Sequence, residues 1–180
     1  MNKAFIIYVF LLGSLLSPCL AESAVALREK SERTLLHLYE TNSSAQALGG
    51  KALAVLVFPD VYAAGFLAAL QRGDGVLFKS GESAGYYNTT SLSFGFQAGV
   101  QRFSYALFFM DQNSLDYLEN SEGFELGTAP SLVVSDIGFN RSISTTTLHE
   151  GIFAFFFAQS GLMGGINIQG TKITKYIPSR

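Results

Sequence analysis

The chain holds no tryptophan, one cysteine, two histidines and four prolines among its 180 residues. A lone cysteine cannot form a disulfide within the chain, so a folded form must rely on its apolar core. With no Cys pair, no H-E-x-x-H and no dense carboxylate-histidine group, a transition-metal site is not expected. Charge is also scarce. Asp, Glu, Lys and Arg together make up 14% of the residues, where about a quarter is usual. Twelve basic side chains face fourteen acidic ones, for a net charge of -2. No cationic excess exists to track a phosphate backbone, so nucleic acid is not an expected partner. What the chain does have is 48% hydrophobic residues, with sixteen Phe and eight Tyr. That balance excludes a disordered chain and points to an aromatic-rich β core.

The first 21 residues read as a targeting segment. Lys3 gives a positive start, and an apolar run follows from Ala4 to Leu16. The run is shorter than the ~20 residues a membrane-spanning helix needs. Pro18 stops any helix, and Cys19-Leu20-Ala21 places small residues where a signal peptidase cuts. The expectation is a signal peptide over 1–21 and a mature domain over 22–180. That places the chain in the periplasm or at the outer membrane. A lipoprotein processed at Cys19 is the rival reading, but Pro18 stands where that processing wants a small residue.

From Ser23 to Leu48 apolar residues recur with a helical period, at Ala24, Leu27, Leu35, Leu38, Ala45 and Leu48. Gly49-Gly50 ends the helix. The remainder reads as strands. Ala54 to Phe58 is an apolar run closed by Pro59-Asp60, and Tyr62 to Leu70 is a second apolar stretch. Gly73-Asp74-Gly75 then reads as a tight hairpin reversal into Val76-Leu77-Phe78. Leu92, Phe94, Phe96, Ala98 and Val100 alternate with small or polar residues. Near Gln101-Arg102 the apolar phase switches, which predicts a turn or a bulge. Asp111 to Asn120 reads as a short capped helix. Further strands are expected at 131–135, 137–139, 151–158, 162–169 and 172–177. The class is α+β: a mainly antiparallel β sandwich or barrel-like sheet, with an amino-terminal amphipathic helix and one short internal helix.

No motif for catalysis stands out. His37 falls mid-helix and His149 reads as a polar loop residue. There is no G-x-S-x-G elbow, no H-E-x-x-H and no phosphate loop. The expectation is a protein that is not an enzyme and needs no cofactor or metal. An outer-membrane barrel also alternates apolar and small polar residues, as Ser91 to Gln101 does. The unbroken apolar runs at Ala54–Phe58 and Phe153–Phe157 argue against that alternative.

Four stretches in order and spacing resemble the SYLF domain family, whose founding member gave it an actin-binding name. They are KALAVLVFPDVYAAGF at 51–66 with RGDGVL at 72–77, and YNTTSLSFGFQAGVQ at 87–101 running on to LFFM at 107–110. FELG at 124–127 with VVSD at 133–136 and QSGLMGGINIQGTK at 159–172 complete the set. The resemblance implies lipid binding without catalysis; bacterial members resemble single-domain exported proteins. Actin is absent from a bacterial envelope, so in a bacterial chain the actin activity does not carry over. The sequence departs from the family after Phe66, where Leu67-Ala68-Ala69-Leu70 replaces further glycines.

Taken together, the expectation is an exported envelope domain that binds lipid or a membrane surface. Arg28, Lys30 and Arg33 on the first helix and Lys51 just after it are the candidate lipid-binding cations. The alternative is a structural protein of the envelope that binds another envelope protein and no lipid.

Overall fold

The computed structural model describes residues 23–121, 123–125, 132–136, 151–161 and 170–178. The expected signal peptide, the strands at 137–139 and 162–169, and His149 lie outside these residues.

The helical start is two helices. Helix α1 spans Ala24–Thr41 and α2 spans Ser43–Gly49. Ser23 caps α1 by accepting a hydrogen bond from the Ala26 amide. Asn42 breaks what the periodicity reads as one helix. Its backbone is extended, and its side-chain oxygen accepts from the Ala45 amide at 2.9 Å, so it ends α1 and caps α2. The buried stripe is Leu27, Ser31 and Leu38 on α1, continued by Ala45 and Leu48 on α2.

Strands β1 (Ala54–Lys79) and β2 (Glu82–Phe109) form one long antiparallel hairpin. Its turn is Ser80-Gly81, both with positive φ (51° and 83°), as a two-residue reversal requires. The reversal expected at Gly73-Asp74-Gly75 is therefore misplaced, because the strand runs straight through it. Those glycines serve a different need. The hairpin folds back on itself near Gly65, where a Cβ would collide with the Ala68 carbonyl. The two arms of β1 then pass close together. A Cβ on Gly73 would lie 2.6 Å from the Asp60 carbonyl oxygen, and one on Gly75 2.5 Å from that of Val57. Only glycine lets backbone meet backbone there.

The other edge of β2 is shared. Tyr86–Thr90 pairs with β6 (Lys172–Tyr176) and Gln101–Phe109 with β5 (Ile152–Gly161), both antiparallel. Strand β3 (Phe124–Glu125) joins β6, and β4 (Leu132–Asp136) joins β5 in parallel. The result is a six-stranded, mainly antiparallel sheet with helices against it, the α+β class expected. Helix α3 (Gln112–Asn120) is capped by Asp111, whose carboxylate accepts from the Ser114 amide at 2.8 Å.

The sheet has a core on each face. The inner one gathers Leu56, Phe58, Phe103, Tyr105, Phe109 and Phe156 with Leu115 and Leu118 of α3. The outer one gathers Val57, Val76, Phe108, Phe153 and Phe155 under Leu27, Leu38 and Leu48 of α1 and α2. Double coverage explains why the runs at Ala54–Phe58 and Phe153–Phe157 do not alternate: both faces of those strands are buried.

Candidate functional site

The site is built around a carboxylate. The β1–β2 register shifts between Phe58 and Val61, at Pro59-Asp60. A second irregularity faces it on β5, where the register with β2 shifts between Arg102 and Ser104 and Ala158 takes a positive φ of 53°. The extra residues lie on β1 and β5. Strand β2 itself runs through Gln101-Arg102 without slipping, Val100 to Phe103 pairing one for one with Ala64 to Val61, so the phase switch expected there is a change of apolar face and not a bulge in β2. Pro59 cannot donate to the ladder, and its carbonyl accepts from the Ser104 hydroxyl at 2.6 Å.

Asp60 is buried, with 8% of its side chain exposed, and takes two cations. Its Oδ1 accepts from Nε and Nη2 of Arg102, and its Oδ2 faces Lys30 Nζ of α1. The fork of Arg102 suits two-point bonding to one carboxylate. Its guanidinium stands 5.9 Å over the Tyr62 ring. The hydrogen bonds from Arg102 to Asp60, and then their opposite charges, hold the guanidinium still more firmly protonated. The ion pair joins α1, β1 and β2 at one point. A buried carboxylate left without its cations would be costly, so each partner positions the others.

Around this pair lies an open cleft of about 290 Å³. Lys30, Arg33, His37, Asp60, Arg102 and Phe157 line it. Lys30, Arg33 and Arg102 bring three cationic side chains to a cleft whose lining holds the carboxylate of Asp60. Arg33 also sits 3.8 Å from Glu29 on the exposed side of α1, a weak surface pair.

The four cations singled out from the sequence divide accordingly. Lys30 and Arg33 meet at the cleft. Arg28 pairs instead with Glu32 one turn along, at 3.2 Å in solvent. Lys51 is exposed in the link between α2 and β1. Sequence reasoning missed Asp60 and Arg102. The signal was present in two pieces, a Pro-Asp read as a turn and an Arg at a phase switch, and nothing local joins them.

Two further features adjoin the site. A groove of about 580 Å³ between α1, α2 and the start of β1 is lined mainly by Leu35, Leu36, Tyr39, Leu53, Val55 and Phe78. Beyond the helices, Tyr62, Leu70, Leu92 and Val100 stand exposed on the outer face of the sheet. Inside the fold, the Tyr105 hydroxyl donates to Thr89 Oγ1 at 2.7 Å. Burial pushes the Tyr105 phenol up despite that bond, and burial with the charge of Glu119 pushes Tyr87 up to about 12. Both phenols are neutral groups of the core at neutral pH. Among the described residues no group of three or more His, Cys, Asp or Glu could hold a metal, and no helix is long and apolar enough to cross a membrane.

No curated protein matches the chain. Residues 90–177 match the family described as Ysc84, Las17-binding protein actin regulator. The matched segment contains Arg102, β5 and β6, whereas Asp60 and the helices precede it. Residues 90–177 are thus similar to the family that the four sequence motifs resemble.

Proposed function

We propose that this chain is an exported, non-catalytic domain of the cell envelope that binds membrane lipid at its surface. The observation that carries the reading is the cleft at Asp60, where Lys30, Arg33 and Arg102 outnumber the single carboxylate. A cation near an anionic lipid surface contributes about 1 kcal/mol of attraction. Three cationic side chains at one cleft and an apolar face near them suit headgroups and acyl chains together. The similarity of residues 90–177 to the Ysc84 family, a family of Las17-binding actin regulators, supports a recognition domain. The leader-like segment at 1–21 supports export.

Co-sedimentation with vesicles tests the reading. Protein purified as the cell processes it should pellet with phosphatidylglycerol vesicles at low salt and be released as salt rises. Arg33→Glu should weaken pelleting several-fold while leaving the fold intact, because Arg33 is exposed. Absence of pelleting with both anionic and neutral vesicles at low salt would overturn it.

A further inference from the structure

We infer that the fold-back of the β1–β2 hairpin, and not helix α1, is the part of this domain that enters the interface of an anionic bilayer. The inference rests on the lipid reading above and names the surface that performs it.

The outer face of the hairpin changes character along its length. Near its ends, Val57, Val76, Phe78, Ala106 and Phe108 are sealed by α1 and α2. Followed along the same strands in steps of two, that face continues from Val76 to Leu70 and from Ala106 to Val100. Here the large side chains are uncovered: Tyr62 is 54% exposed, Leu70 57%, Leu92 55% and Val100 63%. Register sets Leu70 opposite Leu92, Ala64 opposite Val100 and Tyr62 opposite Arg102. They form a run of cross-strand neighbours rather than scattered exposures.

The opposite face of the same stretch is polar and buried. Gln71, Thr89, Ser91 and Gln101 point inward with Ala63 and Ala69. A strand bathed in water on one side normally turns its apolar residues in and its polar residues out. This stretch does the reverse, which is the arrangement of a sheet whose outer face meets lipid.

Charge selects the kind of lipid surface. Segments 61–73 and 83–110 contain no Asp or Glu, and their only full charges are Arg72 and Arg102. Arg102 shares its charge with Asp60 just before these segments, which leaves Arg72 as the cation carried within them. Arg72 is exposed at one end of the apolar run, and Arg102 stacks over Tyr62 at the other. Such flanking cations and an amphipathic aromatic fit the boundary between acyl chains and phosphates. Helix α1 offers nothing comparable. Arg28 pairs with Glu32, Arg33 with Glu29 and Lys30 with Asp60, and the apolar stripe of the helix is already spent on the core.

The absence of tryptophan makes a direct test available. Single Leu92→Trp and Val25→Trp variants place one indole on the fold-back or on α1, where Val25 is 66% exposed. Each is mixed with vesicles of phosphatidylglycerol and brominated phosphatidylcholine, with pelleting measured in parallel. The expected result is a blue shift and quenching for Leu92→Trp and neither for Val25→Trp. A paired Leu70→Ser, Leu92→Ser variant, with its folding checked by circular dichroism, should lower partitioning roughly tenfold. Pelleting with quenching only at Val25→Trp, or with quenching at neither site, would overturn the inference and leave the lipid reading standing. No pelleting at all would overturn both. A concentration-dependent blue shift of Leu92→Trp without vesicles would show that a second copy covers the face, and would also overturn it.

Discussion

The two ends of the long hairpin and its fold-back are made from the same pair of strands, yet they obey opposite rules. At the ends, both faces are apolar and both are covered, with Leu56 and Leu107 buried on one side and Val57 and Phe108 on the other. At the fold-back, one face is polar and buried while the other is apolar and bare. The difference does not come from the strands, whose pairing runs through both regions with small register shifts. It comes from what lies against them. Helices α1 and α2 pack on the ends, and among the described residues the lateral partners β5 and β6 meet β2 at Gln101–Phe109 and Tyr86–Thr90. One element is thereby divided: its ends are covered and hold the fold, while Tyr62, Leu70, Leu92 and Val100 of the fold-back stand exposed.

Three substitutions break or sharpen this contrast. The largest effect belongs to the covered ends. Phe108 is fully buried, edge-on to Phe155 at 5.3 Å and near Tyr39 at 6.3 Å. Phe108→Ala should cost about 3–5 kcal/mol in urea unfolding, through lost burial and the cavity left behind. Next comes the join between the arms. Gly75→Val should cost about 1–3 kcal/mol or more, because a side chain there meets the Val57 carbonyl and the Phe58 ring. The same measurement reads it, and a neutral outcome would mean that the arms of β1 do not run side by side. Smallest is Leu70→Ser on the bare face, which should shift stability by no more than about 0.5 kcal/mol. If it destabilised the protein as much as Phe108→Ala, the fold-back would be core, and the contrast between the regions would vanish.

Local signals in the sequence were the readable ones. The cap at Asp111, the amphipathic stripe of α1 and the alternation ending at Val100 all depend on neighbours a few residues away, and each element lies where expected. The reversal at Gly73-Asp74-Gly75 was misread because a glycine needed for close approach of a distant backbone looks the same as one needed for a turn. Ser80-Gly81, the true reversal, carries an ordinary turn composition that the polar stretch around it concealed. Asn42 ends a helix whose period continues beyond it, since a side chain that caps can outweigh periodicity. The site shows the same limit. Lys30 and Arg33 were named from their cluster on one helix, but the carboxylate that organises them lies across the sheet in β1, and Arg102 arrives from β2. Contacts between residues 30, 60 and 102 have no local trace.

The shared edge of β2 has a consequence for how the molecule is assembled. Strands β1 and β2 are neighbours in the chain and close through a two-residue loop, so they can zip together early. The strands that complete β2, at 152–161 and 172–176, are made more than forty residues after β2 ends. Until they arrive, β2 presents an unpaired row of amides and carbonyls beside Phe103, Phe108 and Phe109. Synthesis thus passes through an interval in which a greasy open margin awaits the strands that close it, and any delay there favours adhesion between nascent chains over completion of the sheet.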